Sequence, residues 1–255
     1  MFLVIDTSTR FAGVALYQEG RVVVAHSWHS RQNHTVELMP AVEHLLKQQG
    51  ATPQALRGII VALGPGGFSA LRVGLSAAKG LALALELPLV GVGTLEAEAY
   101  PWASLGLPTC PMQDAGRGEV AVALFQRVHG GWRQRRPERV VSPADLVTSM
   151  SRRILRPAQS TALRRTQDTT LFCGEAAPAL APLLTESLGT RAVVISDYSP
   201  AGRLWGLAYL GAGRLEAGQR DDLATLQPCY LRRPSITPPK HQPPAEVLPD
   251  APKKP

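Results

Sequence analysis

Thirteen residues recur in this chain. DTSTRFAGVALYQ at 6–18 and DAGRGEVAVALFQ at 114–126 align without a gap, each placing an aspartate eight residues before Val-Ala-Leu, an aromatic ring and Gln. The elements around them repeat as well. Alternating apolar residues predict strands near 2–7, 12–18 and 21–27, and apolar residues at helical spacing predict a helix over 34–49. A strand at 58–63, a helix at 70–86 and a strand at 88–92 complete the order βββαβα. After Asp114 come two further strands, a helix near 143–150, a strand at 169–173, a helix at 177–188, a strand at 192–195 and a helix at 201–217. A duplicated βββαβα unit implies an α/β fold of two like lobes. The boundaries read as 1–105 for the first lobe and 106–232 for the second, with an inserted basic stretch at 151–168 and a proline-rich tail at 233–255.

Charge is confined. The net charge of +7 divides into +4 from residues 151–168, with five Arg and one Asp, and +3 from residues 232–255. The other 17 basic and 17 acidic residues cancel, so the packed part is expected to be balanced and not itself a nucleic-acid platform. Arg152, Arg153, Arg164 and Arg165 of the insert are the candidate contacts to an RNA backbone. The tail from Pro234 carries eight prolines in 22 residues and little to pack, which predicts an extended segment. The longest apolar tract, Leu81 to Val92, is broken by Glu86 and Pro88 and is too short for a bilayer. The start, MFLVIDTS, reads as a strand without a basic leader, so a soluble cytoplasmic protein is expected. Cys110, Cys173 and Cys229 lie far apart without C-x-x-C spacing and are read as small packed residues.

Residues 64–82, GPGGFSALRVGLSAAKGLA, place a glycine turn between an apolar strand and a helix. Gly64, Gly66 and Gly67 free backbone N–H groups at a helix start, where an anion is favoured. A P-loop needs its lysine directly after the last loop glycine, yet Lys79 lies deep in the helix, and Ser69 stands where a dinucleotide fingerprint needs a third glycine. On the helix, Ala70, Gly74, Ala78 and Ala82 form a ridge almost without side chains, suited to close approach by another element. Asp6 and Asp114 each end the first strand of a repeat. There they could face an interlobe cleft and hold a metal-bound nucleotide, or simply bond their own turns. No H-E-x-x-H pair and no G-x-S-x-G elbow occurs, so no catalytic residue and no metal ligand set is assigned.

IDTST, NHTVELMP at 33–40, GPGGFSALRVGLSAAKGLA, VGVGTLEA at 90–97, DAGRGEV at 114–120 and PCYLRRP at 228–234 together resemble the bacterial TsaB (YeaZ) proteins. The resemblance implies the duplicated ribonuclease-H-like fold of actin, Hsp70 and sugar kinases. It also implies a non-catalytic dimerisation subunit in the synthesis of threonylcarbamoyladenosine, the modified nucleoside beside the anticodon of tRNA. The implied partners are the related catalytic subunit TsaD and the ATPase TsaE, with tRNA met indirectly, ATP used by the partner subunits, no cofactor on this chain and no membrane. TsaD-like proteins carry an H-x-x-x-H metal pair at positions matching Thr94 and Glu98 here, so the metal site is expected to be lost. The contact with TsaD is implied to run through the helices at 34–49 and 70–86, which makes Val36, Met39, Leu46, Ala70, Gly74, Ala78 and Ala82 the candidate interface. Self-association of the lone chain through the same helices is a further expectation. An ATP-using transferase or kinase of the same fold is the alternative.

Overall fold

The computed structural model describes residues 1–31, 33–154 and 169–232, with the side chains of 152–154 left out. Arg164, Arg165, most of the basic insert and the tail from 233 therefore lie outside the described residues. Two five-stranded mixed sheets form the body. The first is ordered β3-β2-β1-β4-β5, from β1 (Phe2–Asp6), β2 (Phe11–Gln18), β3 (Arg21–His29), β4 (Gly58–Gly64) and β5 (Leu89–Gly93). The second repeats that order as β8-β7-β6-β9-β10, from β6 (Thr109–Asp114), β7 (Val120–Val128), β8 (Gly131–Val141), β9 (Thr170–Cys173) and β10 (Ala192–Val194). In each sheet the first three strands are antiparallel and the last two join in parallel. The duplicated βββαβα unit predicted from the repeat is present, with the ribonuclease-H-like topology that the resemblance implies.

Both faces of the first sheet are covered, and strand alternation sorts the core. Leu3, Ile5, Ile59, Val61 and Leu89 face α1 (His34–Gln48) and α2 (Phe68–Ala84). Val4, Ile60 and Val90 face Leu204, Leu207, Ala208 and Ala212 of the last helix, α6 (Pro200–Glu216). The second sheet packs Val122, Leu124 and Phe172 against α4 (Pro143–Ile154) and α5 (Ala177–Leu188). On its other side, Ala121, Ala123 and Phe125 meet Leu95 and Ala99 of α3 (Thr94–Ala99).

This corrects the contiguous lobes at 1–105 and 106–232. The last helix, numbered with the second repeat, lies on the first sheet, and α3, which follows β5, lies on the second. The chain after α6 also returns to the first lobe: Asp221 N–H donates to the Leu89 carbonyl at 2.8 Å and Cys229 N–H to that of Leu63 at 2.7 Å. Each sheet leaves an apolar face that its own repeat cannot cover, and the exchange of helices covers both. Gly206 allows it, because a side chain there would stand 2.0 Å from the Ala97 carbonyl oxygen of α3.

The small-residue ridge also turns inward. Gly74, Ala78 and Ala82 are buried, a Cβ on Gly74 would meet the Thr7 hydroxyl at 2.3 Å, and that hydroxyl donates to the Ala70 carbonyl at 2.7 Å. Leu46 is 5% exposed and belongs to the same core. The assignment of Leu46, Gly74, Ala78 and Ala82 to a partner surface is therefore corrected: they pack this lobe. Introducing a bulky ring at Ala78 should overpack the contact by at least ~1–3 kcal/mol. Ala78→Trp is thus expected to lower the thermal midpoint steeply by circular dichroism, while Val36→Ala on the exposed side leaves it unchanged.

Candidate functional site

At the junction of the lobes, the ends of β1 and β6 bring the two repeat aspartates to the same local geometry. Asp6 Oδ1 accepts the Ser8 N–H at 2.9 Å, and Asp114 Oδ1 accepts the Gly116 N–H at 2.8 Å. Each bonds its own turn two residues on, as Asp does wherever a strand ends in a tight turn. Their surroundings differ. Asp6 is 1% exposed, whereas Asp114 is exposed.

Burial of Asp6 is made tolerable by Arg203, a residue that sequence reasoning missed. From α6 its guanidinium reaches under the first sheet with all five N–H donors engaged. Nε donates to Asp6 Oδ2 at 2.5 Å; Nη1 donates to the Tyr198 hydroxyl at 2.6 Å and to Glu98 Oε2 at 3.4 Å. Nη2 donates to Thr9 Oγ1 at 3.0 Å and to the Phe11 carbonyl at 2.7 Å. A planar guanidinium offers five donors, and here each has an acceptor. The side chain is 1% exposed. Burial alone would favour its neutral form, but Asp6, Tyr198 and Glu98 together outweigh this and raise its pKa. Only the Asp6–Thr9 half of the network had a signal in the sequence; Arg203 sits in a plain helical run, and nothing local marks it as buried.

Thr94 and Glu98, the positions at which the resemblance implies a lost metal pair, both bond within this chain. Thr94 Oγ1 accepts the Gly64 N–H at 3.1 Å, pinning the glycine turn. Burial pushes the Glu98 carboxyl up to about 7, with Arg203 opposing the rise and Asp6 and Glu175 adding to it. Among the described residues no three His, Cys, Asp or Glu side chains are grouped to hold a metal ion.

The glycine turn makes its close approach to this chain's own backbone. A Cβ on Gly66 would lie 2.2 Å from the Ser8 carbonyl oxygen, and Gly67 N–H donates to that oxygen at 2.9 Å. The second lobe copies the device with Gly174, φ +98°, whose Cβ would lie 2.5 Å from the Met112 carbonyl oxygen. Gly66, Gly67 and Asp114 do share a cleft of about 360 Å³, lined also by Phe68, Tyr230 and Arg232. Asp6 is not among its lining residues. Gln113 also lines it, its Oε1 buried without a hydrogen-bond partner among the described residues.

Val36 and Met39 are 70% and 43% exposed on α1, and Leu83 on the neighbouring α2 is 74% exposed. Ala70 on α2 is half-buried. Beside them opens an apolar groove of about 660 Å³ between Met39, Pro40, Pro53, Leu56 and Leu81, with Leu46 at its floor. No helix among the described residues is long and apolar enough to cross a membrane.

Two sheets of the same strand order facing one junction define a duplicated α/β protein of ribonuclease-H-like topology. A family model described as TsaD: tRNA N6-adenosine threonylcarbamoyltransferase matches residues 25–221. The tRNA threonylcarbamoyladenosine biosynthesis protein TsaB of Bacillus subtilis (strain 168) is 32% identical over 230 residues, covering 90% of this chain and 93% of the relative. TsaB of Escherichia coli (strain K12) is 36% identical over 144 residues, 55% of this chain and 62% of that protein. The solved YeaZ of Pseudomonas aeruginosa superposes with a TM-score of 0.67 at 25% identity, covering 90% of this chain and 99% of that one. The chain belongs to the TsaB, or YeaZ, family.

Removing one partner of the buried pair leaves an uncompensated charge, which costs about 3–5 kcal/mol. Asp6→Asn is therefore expected to lower the unfolding free energy by that amount, read as a lower urea midpoint at constant m-value.

Glu98 sets a pH dependence of definite sign. Between its ordinary 4.5 and about 7, the folded chain keeps a proton that the unfolded chain has lost, so stability falls as pH rises through that window. Glu98→Gln removes the group, and the variant should gain on the wild type from pH 4.5 to 7 by no more than about 3 kcal/mol in denaturant titrations.

Proposed function

We propose that this chain is a non-catalytic scaffold subunit of the assembly that makes threonylcarbamoyladenosine in tRNA, holding the TsaD transferase in its active arrangement. The observation that carries this reading is the guanidinium of Arg203. It satisfies and neutralises Asp6, one of the two repeat carboxylates that could have held a metal-bound nucleotide, and ties Glu98 into the same network. A carboxylate so engaged has no charge left for a metal ion. In this proposal ATP is used by the partner subunits, this chain carries no cofactor, and tRNA modification is its pathway, as the names of its relatives indicate.

The exposed apolar face of α1 and α2 supports the partnership. Val36, Met39 and Leu83 cost free energy in water, and a partner helix pair that covered them would recover it, at about 25 cal/mol per Å² of apolar surface. With TsaD absent, the same face would serve a homodimer.

A second reading, an ATP-using transferase or kinase, is favoured by one observation. The cleft at Gly66, Gly67 and Asp114 is open, and Gln113 Oε1 lies in its wall unpaired. Titration calorimetry with Mg-ATP separates the two: the scaffold reading expects no heat, and saturable binding would replace it.

The scaffold reading predicts that Val36→Asp with Met39→Asp weakens co-purification with TsaD at least tenfold while the thermal midpoint holds. TsaD that forms the modified nucleoside at full rate without this chain would refute it.

A further inference from the structure

The edge strand β8 carries a row of arginines that overall charge balance hides. Residues 133–139, RQRRPER, hold four arginines and one glutamate. Strand pairing shows where they go. Arg133 pairs with Gln126, Arg136 with Leu124 and Arg139 with Val122, and the register shifts between each step. Gln126, Leu124 and Val122 alternate along β7, so they share one face, the face whose Leu124 and Val122 pack against α4. Two bulges in β8 thus convert a three-residue sequence spacing into a same-face row. Bulges re-aim side chains in this way.

Two residues of β7 separate successive members, which sets the row at about 7 Å per step. That is close to the separation of neighbouring phosphates along a nucleic-acid strand.

The acid of the segment is taken elsewhere. Glu138 lines the opposite, interlobe side with Gln134, where it accepts the Cys229 thiol at 3.3 Å. Arg133 and Arg135 are exposed and Arg136 half-exposed, and none of the three joins an ion pair among the described residues. Arg139 is steadied by α4, donating to Ser149 Oγ at 2.9 Å.

We infer that the β8 edge is a phosphate-backbone contact for RNA, which on the proposed function means the tRNA being modified. It differs from an acidic protein partner in what it offers: evenly spaced guanidinium forks with no apolar side chain between Arg133 and Arg136 to anchor a protein interface. It differs equally from simple guarding of a sheet edge against self-pairing, for which charge of any spacing suffices.

The test uses the full chain and an unmodified tRNA transcript, read by fluorescence anisotropy across a salt series. The triple variant R133Q/R135Q/R136Q keeps Arg139 and its bond to Ser149. It is expected to bind the transcript at least tenfold more weakly, with a log–log salt slope shallower by about 2 to 3. R133K/R135K/R136K, which keeps the charge, should recover most of the affinity and slope. Unchanged affinity and slope in the glutamine variant overturns the inference, and aggregation of that variant with unaltered tRNA affinity assigns the arginines to edge protection. Displacement of the transcript by poly-glutamate at equal charge concentration also overturns it, in favour of an acidic protein. TsaD co-purification is measured on the same samples. Its loss in the wild type would remove the scaffold reading, whereas an unaltered tRNA affinity with TsaD binding intact removes only the inference drawn here.

Discussion

The structure depends on one buried cation. Taking a guanidinium out of water costs several kcal/mol even after the protein relaxes, and the cost is met only where every donor and the charge itself find partners. Arg203 meets those terms with Asp6, Glu98, Tyr198, Thr9 and the Phe11 carbonyl. Those five belong to the end of β1, the turn and start of β2, α3, and the segment before α6. A single side chain therefore fixes the last helix to the first sheet and α3 to both.

Close backbone approach does the rest. Gly66 over Ser8, Gly174 over Met112 and Gly206 against Ala97 each admit a contact that a methyl group would block. Gly211 does the same for Ile60, where a Cβ would stand 2.3 Å away. The glycine turn and the ridge behind it are thus one device: the turn clasps the β1–β2 turn, and the ridge receives Thr7. A pattern suited to phosphate or to a partner helix is used on the chain's own backbone, leaving Val36, Met39 and Leu83 to face outward.

Much of the architecture was legible because it rests on local periodicity. The repeat at Asp6 and Asp114 announced two like sheets, and the helix at Ala177–Leu188 matches its predicted bounds. The short helix α3 went unread, since six residues are too few for a 3.6-residue period to register. The helix exchange went unread for a different reason: an amphipathic stripe states that a helix must be covered, not by which sheet. The charge estimate failed similarly for β8, because a sum over residues carries no direction, and only the strand register separates Arg133, Arg136 and Arg139 from Glu138.

The sequence by itself determined the duplication, the order of strands and helices, the family, and the absence of familiar catalytic spacings, since all of these are written in residue order. Tertiary structure alone decided that Asp6 is neutralised from 197 residues away, that the small ridge faces inward, and that the arginines of one edge strand form a row. Burial and pairing are long-range properties: the free energy of a charge, a glycine or an exposed leucine is set by what the fold brings against it.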